Sequence, residues 1–268
     1  MQHITLNNGI TMPSIGLGTY ELCGQKGIET MQNALQIGYR LFDSAQMYKN
    51  ENELGIAIAQ SLQHLQRDEL FITTKLSSNM PYTKAWQSIE QSLQNLGLEY
   101  VDLLLIHQPY ENTKEMYQAC EEAYHKGLTR AIGVANFYGE FLEDFLDSVR
   151  VVPALNQVQA HIFFQQNALK KFLESKNIHL QAWSPLACGK NDIFTNKALH
   201  NIAKAHHKSI AQIALKFLLD KGMSVIPKAS SFERLQENLA CFDFNLTQQE
   251  IETITQLDTN KSLFGWDC

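Results

Sequence analysis

Three apolar runs in this chain end in side chains that handle protons. Tyr39-Arg40-Leu41-Phe42 runs into Asp43, Leu70-Phe71-Ile72-Thr73-Thr74 into Lys75, and Val101 to Ile106 into His107. A phenol, Tyr48, follows Asp43 just before a helix that opens near Asn50-Glu51. If the runs are parallel strands, their C-termini open on one face, and Asp43, Tyr48, Lys75 and His107 converge there. One Asp, one His and a competing Lys suit a metal poorly, so none is expected. Two chemistries remain open. Lys75 could form a Schiff base with a carbonyl. Alternatively Tyr48 could act as a general acid, with a charged Lys75, held by Asp43, favouring the phenolate and lowering a phenol pKa that is otherwise about 10. His107 would then orient or polarise a carbonyl. Such a site suits hydride addition to C=O, where an oxyanion develops and must be protonated.

The elements that must position these groups follow from the apolar periodicity. His3 to Leu6, a turn at Asn7-Asn8-Gly9, and Ile10 to Met12 read as a hairpin able to plug one end of a sheet. Ile15 to Gly18 reads as a first strand, followed by the strands ending at Asp43, Lys75 and His107. Arg130 to Val134, Ala154 to Val158, His179 to Trp183 and Met223 to Ile226 complete eight. Between them lie helical stripes: Ile28, Met31 and Leu35; Leu54, Ile58, Leu62 and Leu65; Trp86, Ile89, Leu93 and Leu96; Met116, Cys120, Ala123 and Tyr124. Ser209 is placed to cap a helix with Ile210, Ile213, Phe217 and Leu218 inward. Two more helices are expected near 232–239 and 247–257. Eight alternating strands predict an α/β fold, a (β/α)8 TIM barrel with the hairpin at its bottom, in one domain over 1–268. The rival is a doubly wound sheet. Its nucleotide fingerprint fails, because Gly16-Leu17-Gly18-Thr19-Tyr20-Glu21 lacks the third glycine.

Composition narrows the function classes. The 268 residues are 44% hydrophobic and 19% charged, the range of ordinary globular proteins. A net charge of −6 argues against a general nucleic-acid or membrane surface. The start, MQHITLNNGI, does not read as a secretory signal, and no run approaches the ~18 apolar residues of a membrane helix. Five scattered cysteines without a CxxC pair favour reduced thiols and a cytoplasmic location. His206-His207, with no acidic residue nearby in sequence, read as surface.

With these residues in view, the chain resembles the aldo-keto reductases nearly end to end, in particular short prokaryotic-type members such as 2,5-diketo-D-gluconate and small aldehyde reductases. The resemblance rests on Gly16 to Tyr20, GYRLFDSAQMYKNENELG at 38–55, Thr74-Lys75 and VDLLLIHQP at 101–109. It continues through GLTRAIGVANF at 127–137, NQVQAH at 156–161, AWSPL at 182–186, and IPKAS with Arg234 and Asn238. It implies Tyr48 as general acid, the Asp43–Lys75 pair tuning it, and His107 guiding the substrate. It also implies an extended nicotinamide cofactor, with Gly18 and Thr19 beside it, Asn136 and Gln157 on the carboxamide, and Trp183 stacked on the ring. Ser184 and Leu186 would line the pyrophosphate. Lys228 and Arg234 supply cations for a 2′-phosphate at a helix N-terminus, with Ser230 nearby and Glu237 and Asn238 for the adenine edge, so NADPH/NADP+ is expected over NADH.

Two positions depart from the family pattern: Ala135 and Ala229 stand where serines are usual. Each removes a hydroxyl contact worth about 0.5–1.5 kcal/mol, which predicts weaker cofactor binding, with Ser230 or Ser231 compensating at the phosphate. Around the mouth, Tyr20, Met47, Tyr110, Phe137 and Trp266, with a short C-terminal loop, suggest an open pocket for small aldehydes, ketoaldehydes or dicarbonyls. Cys23 and Cys188 fall in loops on the same face, so oxidation could affect activity. A monomeric reductase of small-molecule carbonyls is the reading, and a barrel that binds NADPH to sense or regulate is its alternative.

Overall fold

The computed structural model describes residues 2–265. β1 (His3–Thr5) and β2 (Thr11–Pro13) form the expected antiparallel hairpin. Its turn is latched to the barrel by two side-chain amides: Asn7 Nδ2 donates to Pro153 O at 3.0 Å, and Asn8 Nδ2 to Arg130 O at 2.9 Å. Leu6 and Met12 are buried against Leu41, Phe71, Leu103, Ala131 and Ala154, all at or near strand beginnings. The hairpin therefore closes the N-terminal end and leaves the C-terminal end for chemistry.

Eight parallel strands follow: β3 (Leu17–Gly18), β4 (Leu41–Asp43), β5 (Phe71–Leu76), β6 (Leu103–Ile106), β7 (Ile132–Ala135), β8 (Leu155–Gln159), β9 (His179–Trp183) and β10 (Ser224–Val225). They pair in strict sequence order. A doubly wound sheet would reverse that order and keep two free edges. Here the ends join: Ile15 bridges Val225, Val225 N–H donates to Ser14 O at 2.9 Å, and Gly18 N–H to Pro227 O at 3.2 Å. Gly18 is needed at this seam, since a Cβ there would sit 2.8 Å from Ile226 O. The sheet is a closed barrel.

Ten α-helices are described: α1 (Gly24–Ile37), α2 (Glu51–Ser61), α3 (Tyr82–Leu96), α4 (Thr113–His125), α5 (Gly139–Ser148), α6 (Asn167–Ser175), α7 (Lys197–His206), α8 (Ile210–Asp220), α9 (Phe232–Leu239) and α10 (Gln248–Thr255). Ser209 caps α8 in a reciprocal box with Gln212, as its sequence suggests. None of the described helices is long and apolar enough to cross a membrane. α5, α6 and α7 are not among the expected helices; α5 turns Leu142 and Phe145 into the core, α6 Leu173, and α7 Leu199, Ile202 and Ala203.

Three expectations need correction. α2 stops at Ser61, so Leu62 leaves the predicted stripe and is exposed. Trp86 and Tyr124 lie at the edge of the core, half-buried, and Trp86 receives Lys126 Nζ 4.4 Å from its ring centroid. His206 has an acidic partner after all: its Nε2 lies 2.9 Å from both Glu250 oxygens, because α10 packs on α7.

Near the strand beginnings, the fully buried Asp102 carboxylate bridges three donors. Arg67 and Arg130 reach it at 2.8 and 2.9 Å, and Ile72 N–H at 2.9 Å. Removing it strands the buried Ile72 amide and takes the carboxylate from two guanidinium groups, although Arg67 keeps Leu70 O and Tyr100 O and Arg130 reaches solvent. Asp102→Ala is expected to cost about 3 kcal/mol in urea unfolding.

Candidate active site

Asp43 ends β4, and Lys75 is the penultimate residue of the adjacent β5. Lys75 Nζ donates to Asp43 Oδ1 at 2.5 Å and to Ser44 O at 2.9 Å, with side-chain exposures of 0% and 2% for the pair. The other Asp43 oxygen accepts from Gln157 Nε2 at 2.6 Å, and that nitrogen also reaches Gln181 Oε1 at 2.8 Å. One polar chain thus joins β4, β5, β8 and β9 across the barrel. Burial opposes the ammonium charge, but the Asp43 and Tyr48 contacts outweigh it and raise the Lys75 pKa, so Lys75 stays protonated.

Tyr48 sits on a single 3-10 turn, Gln46–Tyr48, held at both ends. Gln46 Nε2 donates to Ser88 Oγ at 2.8 Å and Ser92 Oγ at 2.9 Å on α3. Beyond Tyr48, Lys49 turns the chain through left-handed backbone, and buried Asn50 donates to Thr19 O at 2.6 Å and Leu22 O at 3.1 Å. Ser44 Oγ donates back to Asn50 Oδ1 at 2.9 Å. The phenol ring is then fixed 5.0 Å from Lys75 Nζ and edge-on to His107, with ring centroids 5.7 Å apart. Gln46 and Asn50 escaped the sequence reading. Asn50 looks like an ordinary helix cap there, and nothing local to Gln46 reveals its partners on α3.

The net shift at Tyr48 runs opposite to the one expected from Lys75 alone. Burial raises the Tyr48 pKa, and the Lys75 ammonium offsets only part of that rise. The closed site keeps the phenol protonated, as a donor must be, and Lys75 limits how far burial weakens it.

His107 follows β6. Its Nδ1 lies 2.9 Å from Ser77 Oγ, and its carbonyl accepts from Asn136 Nδ2 at 3.0 Å. Burial first, and then the nearby Lys75 charge, lower the His107 pKa to about 3, so the imidazole is neutral. Asn136 occupies left-handed backbone (φ 61°), which Asn tolerates. The buried Asn156 holds that bend by donating to Phe137 O at 2.7 Å. Asn136 Oδ1 accepts from Trp183 Nε1 at 2.8 Å, so the indole and the amide are positioned together. Ala135, just before it, is fully buried in β7.

The remaining predicted cofactor residues line the same end of the barrel from β3 round to α9. Gly18 and Thr19 are buried, and the Thr19 hydroxyl is already bonded to Asp43 O at 3.1 Å. Ser184 and Leu186 are half-buried on a loop of left-handed turns at Ser184, Ala187 and Cys188, and Ser184 Oγ lies 2.9 Å from the Cys188 thiol. Lys228, Ser230 and Arg234 are exposed around the N-terminus of α9, whereas Asn238 is buried and Glu237 half-buried. Cations, a hydroxyl and free helix-end amides form a donor set that fits a phosphate. Ser231 caps α9 by accepting from Arg234 N, so of the two serines considered for the phosphate, Ser230 is the uncommitted one. Lys228 meets Glu21 at 3.4 Å, an exposed pair of little energetic weight.

At the mouth, Tyr20 and Met47 are exposed as expected, and Tyr20 is edge-on to Tyr48 at 5.1 Å. Tyr110 is half-buried beside α4 and α5. Phe137 is not a rim residue: it is fully buried, packed edge-on against Phe141 and Phe145. Trp266 lies outside the described residues. Phe264, unremarked in the sequence, leans on Trp183 with centroids 5.5 Å apart.

Three histidines, His161 buried and His107 and His179 half-buried, set an acid limit. His161 and His179, like His107, are held neutral mainly by burial, with pKa values lowered to about 4. Below pH ~6.5 the unfolded chain takes up protons at these groups while the folded chain does not. Stability therefore falls as pH drops from ~6.5 towards 4. Urea midpoints are expected to fall across that window, and His179→Gln to remove about 1–3 kcal/mol of the total loss between pH ~6.5 and 4.

Comparison with known proteins agrees with this geometry. The Aldo/keto reductase family model matches residues 14–259. The chain is 38% identical over 268 residues to 9,11-endoperoxide prostaglandin H2 reductase of Trypanosoma cruzi, covering 98% of this chain and 93% of that protein. It is also 38% identical over 261 residues to glyoxal reductase of Bacillus subtilis, covering 96% and 93%. An aldo-keto reductase from a Medee basin deep-sea metagenome library superposes with a TM-score of 0.94 at 38% identity, over 97% of each chain. A Bombyx mori aldo-keto reductase solved in complex with NADP gives 0.91 at 30% identity, over 97% of this chain and 94% of that one. A closed barrel, a buried Lys–Asp pair under a tyrosine, and this breadth of similarity lead to one conclusion: the chain belongs to the aldo/keto reductase family.

Proposed function

We propose that this chain reduces small aldehydes and ketones, ketoaldehydes and dicarbonyls among them, with NADPH as the reductant. The observation that carries the reading is the buried Lys75–Asp43 pair set beneath the Tyr48 ring. The glyoxal reductase relative is consistent with a small carbonyl substrate. NADPH, when bound, supplies a hydride. Asn136 and Gln157 would hold its carboxamide, Trp183 would stack on the ring, and Gly18, Thr19, Ser184 and Leu186 would follow its length. Lys228, Ser230 and Arg234 would take the 2′-phosphate, with Glu237 and Asn238 at the adenine. Gln157 would use its carbonyl oxygen, because its amide nitrogen is committed to Asp43 and Gln181.

Tyr48 gives its hydroxyl proton to the substrate oxygen as negative charge develops there. Lys75, kept charged by Asp43, stabilises the phenolate left behind. His107 orients the substrate, and Tyr20 and Met47 border it. The whole chain, 1–268, acts as one barrel domain. The same reading takes the protein as a cytoplasmic monomer; the four described cysteines, all free thiols, are in keeping with a reducing compartment.

Loss of NADPH absorbance with methylglyoxal and an aldehyde panel is the primary test. Tyr48→Phe is expected to lower kcat at least ~100-fold while NADPH still binds. Binding without turnover of any carbonyl would instead favour a sensing barrel. Ala229→Ser, which restores a hydroxyl beside Lys228, is expected to tighten NADPH binding by about 3–10-fold and leave NADH unchanged. Equal rates with NADH and NADPH would remove the phosphate argument.

A further inference from the structure

We infer that Gln181 is a positioning residue for the cofactor end of the site. It takes the second N–H of Gln157, holds the Gln157 carbonyl oxygen open as an acceptor, and so makes the site discriminate in favour of a ring that carries an amide NH2. The inference rests on the NADPH-dependent reading and concerns a residue that touches no ligand itself.

Gln181 lies two residues before Trp183 on β9, fully buried, and is the register partner of Gln157 on β8. The directions of the hydrogen bonds between them follow from one charge. Asp43 is paired with the protonated Lys75, and a carboxylate can only accept. The 2.6 Å contact between Asp43 and Gln157 must therefore run from the Gln157 amide nitrogen. That fixes which way round the Gln157 amide stands. The same nitrogen lies 2.8 Å from Gln181, and the atom facing it must be an oxygen, since a nitrogen there would set two donors face to face. The nitrogen of Gln181 then turns the other way, to Met12 Sδ at 3.9 Å on β2, a thioether that can only accept, and weakly. A chain of amides thus runs from the hairpin floor to the site.

A primary amide nitrogen has two protons, and both of those on Gln157 are spent. Its Oε1 accepts no hydrogen bond among the described residues, yet it is not sealed in as the orphan Thr73 hydroxyl is, so it opens on the site. Asp43 alone would not secure this. With one N–H held, the amide is free to swing about that bond and offer its second N–H to the site instead. Gln181 claims that second N–H and leaves only the acceptor. An acceptor here matches the NH2 of a carboxamide. A ring that carries a methyl in place of that NH2 leaves Oε1 without a partner and binds less tightly.

Titration calorimetry on the full chain tests this. The ligands are NADP+, its 3-acetylpyridine analogue, in which a methyl replaces the NH2, and 2′-phospho-ADP-ribose, which lacks the ring. The wild type is expected to bind NADP+ about tenfold more tightly than the analogue, one hydrogen bond's worth. In Gln181→Leu that ratio is expected to fall at least threefold while the affinity for 2′-phospho-ADP-ribose stays within twofold. A general loosening of the barrel would weaken all three ligands together. Gln181→Met, close to glutamine in size and with only a thioether to offer, is expected to behave in the same way and serves if the leucine variant does not fold. In a Gln157→Leu background the preference is expected to be lost already, and Gln181→Leu to change it no further. Four results overturn the inference: a wild-type ratio near one, a ratio unchanged in both folded Gln181 variants, a loss shared by 2′-phospho-ADP-ribose, or an effect of Gln181→Leu that persists without Gln157. Each leaves the reductase reading standing. Failure of NADP+ and 2′-phospho-ADP-ribose alike to bind the wild type would count against that reading and take the inference with it.

Discussion

The Lys75–Asp43 pair is the constraint on which the site depends. Two opposite charges, almost wholly removed from water, carry a desolvation penalty that only close geometry and further hydrogen bonds can offset. Those bonds are present. Asp43 uses one oxygen for Lys75 and the other for Gln157, and Lys75 adds Ser44 O. The pair therefore fixes the relative placement of β4, β5 and β8 at their C-terminal ends. It also places a permanent positive charge beneath the Tyr48 ring and beside His107. One charge thus has two effects: it moderates the burial-driven rise in the Tyr48 pKa and adds to the burial that keeps His107 neutral.

The barrel converts this local pair into a site with a floor and a mouth. The β1–β2 hairpin fills the strand beginnings with Leu6 and Met12, and closure through Ile15 and Val225 removes the sheet edges. Polar groups can then accumulate at the opposite end, where loops rather than packed side chains meet them. The strain is concentrated there too. Asn136 and Ser184 adopt left-handed backbone next to the ends of β7 and β9, and side chains from neighbouring strands hold them: Asn156 around Phe137, and Asn136 itself on Trp183.

The alternation of apolar runs led correctly to eight parallel strands in order, and the strand-end residues Asp43, Lys75 and His107 were legible because strand direction alone decides where they emerge. Tyr48 was legible only with the longer motif around it. Phe137 shows the limit of such reasoning. Its neighbour Asn136 lies at the mouth, but the left-handed bend between them turns the ring back into the core. His206 shows the same limit on the surface: its partner Glu250 is 44 residues away in the chain and adjacent only after α7 and α10 pack.

By itself, then, the sequence determined the fold class, the direction of the site and the chemical types within it, because these follow from periodicity and from residues at strand ends. Only the tertiary structure decided the balance of charges and the hydrogen-bond partners. Whether burial or Lys75 governs Tyr48 depends on how completely water is excluded. How His107 is held depends on Ser77, 2.9 Å from its Nδ1, and on Asn136, which donates to its carbonyl. Both are sums over groups distant in sequence, and no local pattern encodes them.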